Sequence, residues 1–205
     1  MDGVLFNSMP HHAQAWQQVM TAHGLQFTAR DCYINEGRTG YDVIHTAAPD
    51  LSEQEVDAIY HEKGERFVQL GGAEVMNGVK DVLQMLKASG KDLWIVTGSG
   101  QLTLMEQLNI AFPNIFTREK MITAFECKIG KPNPEPYLMA WQRSGYAKQD
   151  CVVVENAPLG LRAAKAAGLD TIIVNTGPLL YEDFLSHYQP DLFLKNFEQL
   201  YSMLR

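Results

Sequence analysis

Residues 151–174 read CVVVENAPLGLRAAKAAGLDTIIV. CVVV (151–154) is a short continuous apolar run. It breaks at Glu-Asn-Ala-Pro, where Pro158 suits a first helical turn, and LRAAKAAG follows as a helix closed by Gly168. TIIV (171–174) is a second apolar run, ending in Asn-Thr-Gly-Pro. A strand, a helix and a strand, with both strands apolar throughout, predict a parallel sheet buried on both faces.

The same rhythm extends outward. DLWIV (92–96) is apolar and ends in Thr-Gly-Ser-Gly, with a helical stretch running on to about Asn109. DLFL (191–194) precedes a last amphipathic helix. Toward the start the pattern changes. HHAQAWQQVMTAHG (11–24) reads as a helix ending at Gly24. SEQEVDAIYHEKGERFVQL (52–70) reads as a longer one, with Ser52 as N-cap and Glu55 three residues on. No strand run lies between them. The expected organisation is an α/β, Rossmann-like doubly wound parallel sheet with an inserted helical unit: residues 1–8 start the α/β core, 9–74 form a helical cap, and 75–205 resume the core with the helix VKDVLQMLKASG.

A chain of 205 residues, 46% hydrophobic, can bury one sizeable core with a smaller insert. No apolar run reaches the roughly 18 residues of a membrane span, and no signal-peptide pattern is present. The formal net charge of −7 argues against a nucleic-acid surface. Cys32, Cys127 and Cys151 are an odd, scattered set without CxxC spacing, which points to a reduced, cytoplasmic setting rather than a disulfide framework.

Polar residues at the carboxyl ends of parallel strands line the crevice where such sheets bind ligands. Four segments fall there: DGVLFNS (2–8), VTGSG (96–100), GKPNPEPY (130–137) and VVVENAPLG (152–160). Each has an ordinary structural reading, as a turn, a helix cap, a solvated loop lysine or an N-cap. Together they form a set of parts for phosphoryl transfer. Thr97, Gly98 and Ser99 could cradle a phosphate at a helix N-terminus, and Lys131 could neutralise its charge. Asp2, Glu155 and Asn156 offer hard oxygen ligands for Mg2+.

The order of these segments resembles the haloacid dehalogenase (HAD) superfamily, in its β-phosphoglucomutase-like group with a helical cap. The resemblance covers nearly the whole chain. It matches Asp2 to the family's general acid/base. It places the nucleophilic aspartate, which forms an aspartyl-phosphate, two positions before Asp2, with the central strand leading to it. It therefore implies that the native protein extends upstream of Met1.

Two departures bear on the substrate. The fourth motif usually carries two acids, whereas this chain has Glu155-Asn156. In the cap segment YINEGRTGYD (33–42), aligning on Gly37 puts Gly40 where sugar-phosphate members carry an Arg, and the residue before Gly37 is Glu36. Glu36 is a solvated loop acid or a Mg2+ ligand supplied by the closing cap. NEGRTG together with ENAPLG is similar to the HAD-type inorganic pyrophosphatases and favours the ligand role. Arg38 is read as a leaving-phosphate contact or a solvated arginine. His12 is read as a substrate contact or a structural histidine, and Ser8 as part of the cap hinge. Trp16, Trp94 and Trp141 read as packing residues.

The expected function is a Mg2+-dependent phosphohydrolase, an inorganic pyrophosphatase in first place. β-Phosphoglucomutase or sugar-phosphate phosphatase is the nearest rival, and a non-catalytic phosphate-binding homologue the rival from another class. The expected partner is a small phosphorylated molecule, with no nucleic acid and no membrane, and the protein is expected to be a monomer.

Overall fold

The computed structural model describes residues 1–99, 104–185 and 188–205. Gly100, the last residue of the Thr-Gly-Ser-Gly segment, lies outside them. The chain opens with a tight turn, in which the Met1 carbonyl accepts from the N–H groups of Val4, Leu5 and Phe6 at 3.2, 2.7 and 3.2 Å. Gly3, at φ 64°, makes its left-handed corner. The turn presents Asp2 and leads into β1 (Phe6–Asn7).

Four helices follow: α1 (Met9–Ala22), α2 (Ala29–Ile34), α3 (Gly40–Ala47) and α4 (Glu53–Gln69). The last three begin at hydroxyl caps, with Thr28, Thr39 and Ser52 accepting from the N–H groups of Asp31, Asp42 and Glu55. These helices pack on one another through a buried cluster that includes Trp16, Met20, Ile44, Val56 and Ile59. β2 (Glu74–Val75) then returns antiparallel beside β1, with Phe6 opposite Val75. The chain thus leaves for the helical unit and re-enters from it at one place.

The remainder alternates. It runs α5 (Val79–Ala88), β3 (Ile95–Val96), α6 (Leu104–Ala111), β4 (Met121–Ile122), α7 (Glu135–Ser144), β5 (Val152–Glu155), α8 (Pro158–Ala166), β6 (Asp170–Val174), α9 (Tyr181–Phe184), β7 (Leu192–Leu194) and α10 (Phe197–Leu204). β3 pairs with β4, and β5–β6–β7 form a second ladder, all parallel. The mixed α/β architecture with parallel sheets is the one the sequence predicts. Most of its buried residues form a large cluster around Leu108, Met121, Val174 and Phe197, with smaller clusters around Tyr137 and Leu169 and around Leu161 and Phe184. Among the described residues no helix is long and apolar enough to cross a membrane.

Some elements differ from expectation. Of DLWIV only Ile95–Val96 joins a ladder. Asp92 is drawn off by the Trp94 indole, which donates to it at 2.9 Å, and by the Lys120 ammonium. The structure also holds α2 and α3, which the sequence pattern does not predict. At 6 and 8 residues they are too short to show the full apolar repeat by which α1 and α4 are recognised.

Candidate active site

The carboxyl ends of β3 and β5, the opening turn and the 130–134 loop meet beneath the loop that joins α2 to α3. Between them is a cavity of about 150 Å3 whose polar wall includes Asp2, Glu36, Thr97, Lys131 and Asn156. On the helical side Met9, Trp16, Val43 and Tyr60 line it. The geometry thus brings together residues from all four predicted segments and from the α2–α3 loop.

Asp2 accepts a hydrogen bond from the Ser8 hydroxyl at 2.6 Å, and the Nε2 atom of His12 stands 3.4 Å from the same oxygen. The Lys63 ammonium lies 2.7 Å from His12 Nδ1. An ammonium can only donate, so Nδ1 is the acceptor and the ring proton sits on Nε2, toward Asp2. Burial and the neighbouring Lys63 charge both lower the pKa of His12, which favours this neutral form. Burial opposes the charge of Asp2, yet the bonds from His12 and Ser8 outweigh it and hold the carboxyl below the usual range. Burial likewise lowers the pKa of Lys63 to about 8.

Lys131 donates to Glu155 Oε1 at 2.6 Å and to the Val96 carbonyl at 3.1 Å. Glu155 Oε1 also accepts from the Tyr137 hydroxyl at 2.6 Å, and Oε2 from the Asn156 N–H at 3.0 Å. Burial works against the charge of Glu155, but Lys131 overrides it and holds the pKa at about 2. Three donors therefore engage this carboxylate, which lines the cavity with its oxygens committed to Lys131, Tyr137 and the Asn156 N–H rather than left free for a metal. The close fit continues behind it, where a Cβ on Gly160 would lie 2.1 Å from the Glu155 carboxyl carbon.

Asn156 donates from Nδ2 to Glu36 Oε1 at 2.8 Å. The pair closes directly over Gly3, where a Cβ would lie 1.9 Å from Asn156 Nδ2 and 2.8 Å from Glu36 Oε1. Glycine is required there for its φ and for this approach. Burial raises the pKa of Glu36 to about 8, with Glu155 and Asp2 adding to the effect against the Asn156 bond. Asp2, Glu36 and Asn156 are hard oxygen donors of the kind Mg2+ takes, and a carboxyl pressed between other carboxylates is what a divalent cation would relieve. These residues fit the ion. Two carboxylates and one amide remain a lean set, and among the described residues no group of three or more His, Cys, Asp or Glu forms a metal cluster. Substrate oxygens and water would complete the shell, as Mg2+ commonly requires.

Thr97 is fixed by its N–H, which donates to Ile122 O at 2.9 Å, and its hydroxyl accepts from the Ser99 N–H at 3.1 Å. Gly98 lies under the α2–α3 loop, its Cβ position 3.0 Å from the Gly37 carbonyl oxygen. Arg38 lines the cavity while its Nε donates to Asn35 Oδ1 at 3.0 Å. Gly40 is overlaid by the Tyr60 ring, which would lie 2.3 Å from an added Cβ, so no longer side chain fits at that position. No motif in the sequence marks Tyr60, Lys63 and Tyr137 as residues of the site. Lys63 had one usable signal, since Val56, Tyr60, Lys63 and Phe67 recur at helical spacing and place it on the apolar stripe of α4.

A family model described as "Hydrolase: haloacid dehalogenase-like hydrolase" matches residues 1–168. Glycerol-1-phosphate phosphohydrolase 1 of Saccharomyces cerevisiae is 32% identical over 98% of this chain and 81% of its own length. Hexitol phosphatase A of Escherichia coli is 30% identical over 85% of this chain and 80% of its own. Among solved structures, a candidate beta-phosphoglucomutase from Bacteroides vulgatus is 42% identical, covering 98% of this chain and 84% of that one, with a TM-score of 0.93.

Proposed function

We propose that this chain, which belongs to the haloacid dehalogenase-like hydrolase family, removes a phosphoryl group from a small phosphorylated substrate, and that the substrate is inorganic pyrophosphate. Family membership and the phosphatases among the relatives support the hydrolytic chemistry. The choice of pyrophosphate draws on none of them and is carried by one observation. Glu36, from the helical unit, is bonded to Asn156 over Gly3 inside a cavity of only about 150 Å3. Drug-sized ligand pockets run to roughly 300–1,000 Å3.

The helical unit, residues 9–74, serves as a cap over a core made of the rest. Bound Mg2+, held by Asp2, Glu36 and Asn156, would supply charge neutralisation for phosphoryl oxygens. Lys131, held by Glu155, adds a positive charge at the same face. The Thr97 hydroxyl and the Gly98–Ser99 backbone orient the phosphoryl group. The resemblance also implies an attacking carboxylate, which forms an aspartyl-phosphate that water then hydrolyses. Asp2, positioned by Ser8 and His12, exchanges the proton: its ionised form takes one from the hydrolytic water, and the protonated form that results delivers it to the leaving oxygen of the next turnover. Arg38 faces the leaving group, whereas His12, whose two ring nitrogens are taken by Asp2 and Lys63, acts by positioning Asp2 rather than as the expected substrate contact. The closed cap excludes bulk water until products leave.

A second reading has its own support. The relatives named for glycerol-1-phosphate and hexitol phosphates, together with the apolar wall of Trp16, Val43 and Tyr60, favour a polyol or sugar phosphate. Phosphate release by the protein from its native source, measured with Mg2+ on pyrophosphate, glycerol phosphate and hexose phosphates, separates the two. The expected result is a kcat/KM at least tenfold higher on pyrophosphate, falling roughly tenfold or more in Glu36→Ala, with a higher Mg2+ concentration needed for half-maximal rate. Faster turnover of the phosphoesters, or an unchanged Glu36→Ala enzyme, removes the pyrophosphate reading. Binding of phosphate and Mg2+ without any turnover would leave a binding protein.

A further inference from the structure

We propose that Arg30 and Tyr33 are positioning residues for Glu36: α2 docks on α9 and the segment that precedes it, and that docking sets where the Glu36 carboxylate sits. The inference rests on the reading of Glu36 as a group of the reacting site.

The docking has two contacts outside the cavity. Arg30 Nη2 donates to Asp183 Oδ1. Asp183 is prepared for it, since its other oxygen accepts from the Leu180 N–H at 2.8 Å and caps α9. One carboxylate therefore holds its own helix and receives the arginine. Tyr33 lies against Gly177, with two of its ring carbons 3.3 Å from where a Cβ would be. Tyr33 and Ile34 also pack against the buried cluster of Leu161, Ile173, Leu179 and Phe184.

The link from these contacts to Glu36 is short and stiff. Thr28 and Asp31 form a capping box at the start of α2. At its end the Asn35 side chain donates to Asp31 O at 2.9 Å and accepts from Arg38 Nε at 3.0 Å. The Glu36 N–H points to Tyr33 O at 3.4 Å, and the Arg38 N–H donates to Asn35 O at 3.2 Å. Six helical residues and one turn thus connect the docked face to the carboxylate. The receiving surface is tied to the same point. The Thr176 hydroxyl donates at 2.5 Å to the carbonyl of Gly3, the residue over which Glu36 and Asn156 meet. The ring of contacts Glu36–Gly3–Thr176–Gly177–Tyr33 closes on itself.

Arg30 is well exposed and Asp183 is not, with side-chain exposures of 60% and 15%. Such an ion pair shifts an equilibrium by roughly twofold to fivefold. Steric disruption of the Tyr33 seat has a larger effect. The variants are Arg30→Ala, Asp183→Asn, their double mutant, Arg30→Lys, and Gly177→Leu, which drives a side chain into the Tyr33 ring. Two readouts are taken: amide hydrogen exchange of residues 29–36 without substrate, and KM against kcat on the best substrate of the phosphate panel. Weaker docking lowers the fraction of competent enzyme, so KM rises while kcat changes less.

The expected results are a twofold to fivefold faster exchange of 29–36 in Arg30→Ala, with α5 unchanged, and a matching rise in KM. The double mutant should be no worse than the worse single mutant, Arg30→Lys should recover at least half of the loss, and Gly177→Leu should exceed them all. Unchanged exchange at 29–36 in both Arg30→Ala and Gly177→Leu overturns the proposal. So does independent addition of the Arg30 and Asp183 effects, or a loss of protection spread equally over α5. Should Glu36→Ala prove silent, the reading of Glu36 fails, while the exchange data still decide whether α2 docks through Arg30 and Tyr33.

Discussion

Replacing Lys131 with Met would remove the cation from a buried pair and leave its carboxylate in place. Both side chains are 6–7% exposed, and the Lys131–Glu155 contact is 2.6 Å. Glu155 would keep the Tyr137 hydroxyl and the Asn156 N–H, neither of which carries charge. Breaking a buried pair on one side costs roughly 3–5 kcal/mol, because the remaining charge is uncompensated. That is a large share of the roughly 5–15 kcal/mol that holds a domain together. The pH dependence gives the sign. In the native protein Glu155 has a pKa of about 2, below the unfolded carboxylate, so its contribution is present above about pH 4.3 and is lost as pH falls toward 2. In Lys131→Met burial is unopposed by a cation, and the folded pKa rises above the unfolded one. The penalty then grows as pH rises and shrinks on acidification. Urea unfolding in the presence of EDTA, at several values from pH 8 to 5, should show a gap of 3–5 kcal/mol at pH 8 that narrows toward pH 5. Adding Glu155→Gln to the variant should recover most of the loss. A gap under about 1 kcal/mol at pH 8, or one that does not narrow, would refute the account of Glu155 as a charge held by Lys131.

Gly160→Ala, in the first turn of α8, would ordinarily stabilise a helix by up to about 1 kcal/mol. Here the new methyl group falls 2.1 Å from the Glu155 carboxyl carbon, and a loss of roughly 1–3 kcal/mol in urea is expected instead. Asp2→Asn keeps the shape of the opening turn and removes the proton-exchanging group. Phosphate release should fall roughly 10²–10⁴-fold with circular dichroism and melting unchanged, and a rate within tenfold of the parent excludes Asp2 from that role.

The elements legible in the sequence are those whose pattern is local. β5, α8 and β6 follow from apolar runs punctuated by Pro158 and Gly168, and α4 from the Ser52–Glu55 capping box, which is present as predicted. α2 and α3 are stabilised by contacts with α1 and α4 and by their Thr28 and Thr39 caps, and neither is long enough to declare a period. At the site the residue types were legible, but which partner each one satisfies was not. Glu155 and Asn156 are adjacent in a motif that suggests two metal ligands. Their side chains part, one to Lys131 and Tyr137, the other to Glu36, 120 residues away in sequence. No spacing rule carries that division, because it depends on how β5 turns into α8.

The Asn at 156 also looks different once its neighbour is known. From the sequence it reads as a charge lost from a metal site. In the structure its amide donates to Glu36 at 2.8 Å, directly above Gly3. An aspartate there would have no N–H to give, and would set another carboxylate against one already pushed up in pKa by burial and by Glu155 and Asp2. Asn156 is therefore what allows Glu36 to enter. On the proposed reading the site has not lost a charge; it has moved one from the sheet to the helical unit. A carboxylate fixed at the end of β5 would be present whatever the helices do. A carboxylate on the α2–α3 loop is present only when that loop is seated, so the charge that suits the site to a highly charged substrate arrives together with the closure that excludes water.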